Sequence, residues 1–137
     1  MNKTVFVDTS GFYALLAQQD DQHEKANDIL RRSSIDKRTF VTTDYVLDEA
    51  ATLLLARGLD HIVESMFEAV LQSKACKVVW MDAELFYRTK VFFLKHKDHP
   101  WSFTDCSSFL VMKDLGLHEA LTKDKHFIQA GFKALLI

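Results

Sequence analysis

"TVFVDTSGFYALL", residues 4–16, opens as a short buried strand, closes as a helix, and carries Asp8 at the join. Val5 to Val7 form the unbroken apolar run of a strand covered on both faces, whereas Phe12, Leu15 and Leu16 recur at helical spacing. A strand feeding directly into a helix begins a βαβ unit. In open sheets of this kind, ligands bind in the crevice outside the carboxyl ends of the strands, where Asp8 belongs. Asp8, Thr9 and Ser10 also suit a helix N-cap, whose side-chain oxygen accepts a hydrogen bond from an unpaired first-turn N–H. On this stretch alone, capping and ligand binding both stand.

The rest of the chain repeats the alternation. Strand-like runs rich in Val, Phe and Leu fall at 4–7, 39–42, 76–80, 119–122 and 132–136. Helical periodicity occupies about 10–19, 22–34, 44–57, 60–73, 83–97, 104–115 and, briefly, 125–130. This predicts an α/β fold, a small parallel sheet of about five strands flanked by helices on both faces. Gly58 and Gly116 stand where helix C-caps belong, and Pro100 lies in "KHKDHPWS" (95–102), the longest irregular stretch expected.

At 137 residues, with 48% hydrophobic and 26% charged residues, residues 1–137 are expected to form one domain with a true core. Cys76 and Cys106 lie in no zinc spacing and are too few for a disulfide framework, so reduced thiols are expected. A secretory h-region and a membrane-length apolar run are both missing, which leads to the expectation of a cytoplasmic protein. A net charge of -2 argues against coating nucleic acid by bulk positive charge. The paired cations Arg31–Arg32, Lys37–Arg38, Lys95–Lys97 and Lys123–Lys125 suit either a local phosphate-binding rim or an ordinary solvated surface.

Three more segments bring acids to helix starts. "TTDYVLDEAATLLLA" (42–56) is apolar nearly all round, so one of Asp48 and Glu49 is expected to be desolvated, though periodicity does not choose between them. In "WSFTDCSSFLVMKDLG" (101–116), Ser102 and Asp105 have capping-box spacing. Alternatively Asp105 points into the crevice, with Thr104 and Ser107 as hydroxyl donors beside it. "EALTKDKHF" (119–127) places Asp124 after the fourth strand, as Asp8 follows the first. Capping accounts for each acid singly; their common position at one edge favours convergence. Two carboxylates 4 Å apart repel by about 4 kcal/mol at an effective dielectric of 20, so converging acids require a cation. Without a His/Cys ligand set, hard oxygen donors point to Mg²⁺ or Mn²⁺ and to phosphodiester chemistry.

Together, "VFVDTSGFYALL", "TTDYVLDEAATLL", "WSFTDCSSFLVM" and "ALTKDKHF" resemble the PIN-domain ribonucleases, in particular the VapC-like toxins, along the whole chain. The resemblance implies a PIN-like fold and an endoribonuclease dependent on Mg²⁺ or Mn²⁺. It assigns Asp8, Glu49, Asp105 and Asp124 to the acidic cluster, preferring Glu49 to Asp48. It also gives Thr104 as a hydroxyl beside the third acid. An RNA substrate, a homodimer and a cognate antitoxin are further implications.

Other features carry less. His96 and His99 are spaced as HxxH but sit among lysines near Pro100, and a solvated loop is the expected reading. Trp80, Trp101 and the eleven phenylalanines offer stacking surfaces for bases, yet a chain this small needs most of them in its core. Phe12, Tyr13, Phe86, Phe92 and Phe93 recur at helical spacing, and surplus apolar surface there suits a dimer or an antitoxin. An aspartyl-phosphate enzyme commonly needs a second Asp where Ser10 stands. A non-catalytic RNA- or protein-binding module is the remaining alternative.

Overall fold

The structure, a computed structural model, describes residues 4–137. The elements follow the order β1 (Val5–Val7), α1 (Thr9–Leu16), α2 (His23–Ile35), β2 (Phe40–Thr43), α3 (Asp44–Ala56), α4 (Asp60–Gln72), β3 (Cys76–Val79), α5 (Ala83–Lys95), α6 (Phe103–Asp114), β4 (Glu119–Leu121), α7 (Lys125–Gln129) and β5 (Lys133–Ala134). The five strands form one sheet in the order β3-β2-β1-β4-β5, and every pairing is parallel.

That order places the site. From β1 the chain first winds outward through β2 and β3, then returns to the other side of β1 for β4 and β5. Right-handed crossovers in opposite directions put their helices on opposite faces. Accordingly α1 to α4 pack among themselves, as do α5 to α7. The reversal falls between β1 and β4, which pair through Phe6 with Ala120 and Val7 with Leu121. Such a switch point opens a crevice at the carboxyl ends of the two strands.

Packing draws that crevice tight. Val5, Phe6, Ala120 and Leu121 are buried, and Phe6, Phe109 and Phe127 join the sheet to α6 and α7, with Phe109 and Phe127 edge to face at 5.0 Å. Asp8 N donates to Leu121 O at 3.2 Å, tying the end of β1 to that of β4. Gly11 lets α1 pass over the same carbonyl, because a Cβ there would lie 2.1 Å from Leu121 O.

The differences from the sequence reading are local. Helix α1 stops at Leu16, where Ala17 N closes the last turn onto Tyr13 O and Asp20 accepts from Gln22 N to build the next turn. Gly58 and Gly116 do follow helix C-caps and take positive φ. Helix α3 corrects the expectation of a desolvated acid: it buries Val46, Leu47, Ala50 and Leu54, while Asp48 and Glu49 are both exposed. Its outer face is apolar in composition without being covered, as exposed Leu55 illustrates.

Candidate metal centre

Asp8 holds the N-cap position of α1, yet its side chain makes no capping hydrogen bond. It accepts instead from the Thr122 hydroxyl, 2.9 Å away across the crevice. Asp8 is only 5% exposed. Burial pushes its carboxyl up to about 7 against the lowering effect of the Thr9 N–H and the Thr122 hydroxyl, and the negative charges of Asp105 and Asp124 push it further. A cation arriving beside such a carboxyl would lower that value and displace the proton to solvent.

Asp105, on the first turn of α6, fills the capping role that its spacing from Ser102 predicts. Its backbone N–H donates to Ser102 Oγ at 2.9 Å and its Oδ2 accepts from Ser102 N at 3.1 Å, completing a capping box. The same Oδ2 lies 3.0 Å from His126 Nδ1. Burial raises the Asp105 carboxyl, repulsion from Asp124 adds to this, and His126 and the Ser102 N–H oppose it. Asp124 caps α7 by accepting from His126 N at 2.9 Å, and its Oδ1 is 3.3 Å from His126 Nδ1. One ligand atom from each of Asp105, Asp124 and His126 falls within a 4.8 Å cluster.

Glu49 occupies the rim. It is exposed, and its Oε1 accepts from Thr9 Oγ1 at 2.9 Å, which ties it to the residue after Asp8. Thr104 touches none of the acids through its hydroxyl: its carbonyl accepts from Ser107 Oγ at 2.8 Å, so Ser107 also spends its proton within α6. The hydroxyls that serve acids are those of Thr9 and Thr122, and the missed nitrogen is that of His126. Their signals were present as "DTSG", "LTKD" and "DKH", a hydroxyl beside each acid and a histidine two residues beyond the last.

The remaining candidates resolve differently. His96 Nδ1 donates to Phe92 O at 2.8 Å, and His99 stacks on Trp101 at 4.0 Å and 8°. Both rings are half-buried in an aromatic cluster, which corrects the expectation of a solvated loop. Trp101 is buried and Trp80 exposed. Arg31 and Arg32 pair with Asp28 on their own helix. Cys76 and Cys106 are free thiols, raised to about 11 by burial. Among the described residues no helix is long and apolar enough to cross a membrane.

Comparison with known proteins decides what kind of centre this is. The PIN domain, as a family, matches residues 5–133. The chain belongs to the PIN-domain family. It is 31% identical over 128 residues to the 23S rRNA-specific endonuclease VapC20 of Mycobacterium tuberculosis, covering 93% of this chain and 95% of that protein. The crystal structure of M. tuberculosis VapC20, described as a sarcin-ricin loop cleaving toxin, superposes with a TM-score of 0.81 at 30% identity over 93% of this chain and 95% of that one. FitAcB from Neisseria gonorrhoeae shares the fold at a TM-score of 0.58 and 16% identity, over 95% of this chain and 94% of that one. The chain is thus a VapC-like PIN protein, with its sheet and flanking helices as the sequence predicts.

The donor set fits a divalent metal. Among the described residues, no lysine or arginine forms an ion pair with Asp8, Asp105 or Asp124, although burial and neighbouring negative charge penalise the charges of Asp8 and Asp105. Carboxylate oxygens are the ligands that hard divalent cations take. In this PIN domain the acidic cluster marks a divalent metal site.

Proposed function

We propose that this chain, a VapC-like PIN endoribonuclease, hydrolyses a phosphodiester bond of structured RNA with Mg²⁺ or Mn²⁺ held by Asp8, Asp105 and Asp124, and that the sarcin-ricin loop of 23S rRNA is its substrate. The observation that carries this reading is the convergence of three carboxylates without a lysine or arginine partner, from the end of β1, the first turn of α6 and the β4–α7 turn, on the switch-point crevice, Asp8 and Asp105 buried and Asp124 half-buried. Glu49, at the exposed rim, completes the set, and Thr104 lines the approach beside Asp105 without bonding to an acid.

Held by Asp8, Asp105 and Asp124, a divalent ion would supply activation of a water and neutralisation of charge on the attacked phosphate. The chain's own residues do the rest. Ser102 and His126 fix the Asp105 carboxylate from two sides, and His126 also holds Asp124.

Toxin-type relatives also suggest partners. An antitoxin and a second copy of this chain are the proposed protein partners, and exposed Trp80, Tyr87, Val91 and Leu94 give α5 and its approach an uncovered apolar face for such contacts. The compartment proposed is the cytoplasm, and residues 1–137 are proposed to act as one domain.

The test is cleavage of a sarcin-ricin hairpin by purified protein with Mg²⁺ or Mn²⁺, wild type beside Asp105→Asn. Even changes outside the ligand shell cost metal sites up to about 100-fold, so loss of a ligand should reduce cleavage by at least that. Metal-dependent cutting abolished in the variant supports the reading. Hairpin binding without cleavage by either protein points to the binding module instead.

A further inference from the structure

Thr122 Oγ1 is where three hydrogen bonds meet, on a side chain with no exposure to solvent. It lies 2.9 Å from Asp8 Oδ2, 3.0 Å from Asp124 N and 3.1 Å from Ser10 Oγ. A threonine hydroxyl has one proton and two lone pairs, so three partners exhaust it. The Asp124 N–H only donates, and an ionised Asp8 carboxylate only accepts. The single Thr122 proton therefore goes to Asp8, and Ser10 must donate its own proton to Thr122. Ser10 Oγ in turn accepts from Lys123 N–H at 2.9 Å. The donations run one way: Lys123 N–H to Ser10, Ser10 to Thr122, Thr122 to Asp8.

This relay joins acids that nothing local holds together. Asp8 and Thr122 are 114 positions apart, and Asp8 and Asp124 repel each other. A lysine at this point would hold Asp8 more strongly but would cancel the charge that attracts a cation. A hydroxyl holds the Asp8 carboxylate and the backbone of Asp124 together without neutralising either acid. We infer that Thr122, backed by Ser10, is a positioning residue for the metal centre, fixing the Asp8 carboxylate against the backbone that carries Asp124 before a divalent cation arrives. The inference rests on the proposed metal site.

The test is calorimetric titration of the purified full chain with Mn²⁺ alone, with circular dichroism to confirm folding. Partners that orient ligands are worth about 10- to 100-fold in metal affinity, so Thr122→Val should bind Mn²⁺ at least about tenfold more weakly, and Thr122→Ser, which keeps the hydroxyl, should restore most of it. A folded Thr122→Val that binds as wild type overturns the inference, as does a Thr122→Ser as weak as Thr122→Val. Should Thr122→Val not fold, Ser10→Ala carries the test: weaker Mn²⁺ binding supports the relay and unchanged binding overturns it. A wild type that binds no Mn²⁺ overturns the metal-centre reading, and this inference falls with it; wild-type binding matched by the variants overturns this inference alone.

Discussion

Two groups of acids in this protein are treated in opposite ways. Outside the crevice, Asp114 receives both arms of the Arg88 guanidinium at 2.7 and 2.8 Å, and Asp20 and Asp21 share the Lys123 ammonium at 2.8 and 3.1 Å. In the crevice, Asp8, Asp105 and Asp124 have no such partner among the described residues, only hydroxyls, backbone N–H groups and His126. The carboxyls answer accordingly: Arg88 holds Asp114 below the ordinary range, and burial drives Asp8 and Asp105 above it. Lys123 makes the contrast sharpest. It sits between Thr122 and Asp124 in sequence, yet its ammonium turns to Asp20 and Asp21. Cations are close at hand and the fold points them elsewhere, which leaves the crevice short of positive charge.

Neutralising Asp8 is the strongest way to break that contrast. Its carboxyl is raised in the folded protein, so its contribution to stability is full below the pKa of the unfolded chain and is lost as pH rises toward about 7. Metal-free wild type should therefore lose stability relative to Asp8→Asn between about pH 4 and pH 7, by ~4 kcal/mol at most. Thermal melts in chelator across that range measure the gap. Adding Mn²⁺ at neutral pH should raise the wild-type melting temperature and leave that of the variant nearly unmoved. Parallel melting curves, with or without metal, would show that Asp8 carries no strain of charge.

A second break acts on the frame and leaves the charges alone. Gly11→Ala would press a methyl to 2.1 Å from the Leu121 carbonyl, and backbone on both sides leaves little room to yield. Overpacking typically costs about 1 to 3 kcal/mol, so the variant should melt well below wild type at every pH. A melting temperature within error of wild type would mean that α1 and β4 are free to part, and that the crevice is softer than its contacts indicate.

How much of this was legible in the sequence depends on which interactions are local. The strands and helices follow from periodicity, and the parallel sheet from their alternation, because burial pattern is written residue by residue. Asp105 and Asp124 were equally legible as caps, since "SFTD" and "TKDKH" encode contacts two or three residues apart. At Asp8 the local sequence left capping and ligand binding open, because its backbone takes the N-cap site while its side chain bonds to Thr122, just beyond β4. Pairings made by strand order, such as Thr122 with Asp8 and His126 with Asp105, have no periodic signature. Glu49 exposes the limit of composition, because a helix rich in leucine need not be covered all round. Its acids face solvent where nothing packs.

The smallest effect tests the surface half of the comparison. Arg88→Ala removes a two-armed but half-exposed ion pair, and such pairs are worth less than about 1 kcal/mol after solvent screening. The destabilisation should shrink further in high salt. Its pH dependence should also run opposite to that of Asp8. Asp114 is held low by Arg88, so the pair contributes above the carboxyl's unfolded pKa and is lost as pH falls through the folded one. The wild-type advantage over Arg88→Ala should therefore fade in acid, while that of Asp8→Asn over wild type fades in acid for the converse reason: Asp8 is then protonated in both states. RNA cleavage by Arg88→Ala should match wild type, because no contact links this pair to the crevice acids. Two acids with pH responses of opposite sign in one small fold would identify the crevice as the place where charge is withheld for a ligand. Responses of the same sign would reduce the crevice to ordinary surface.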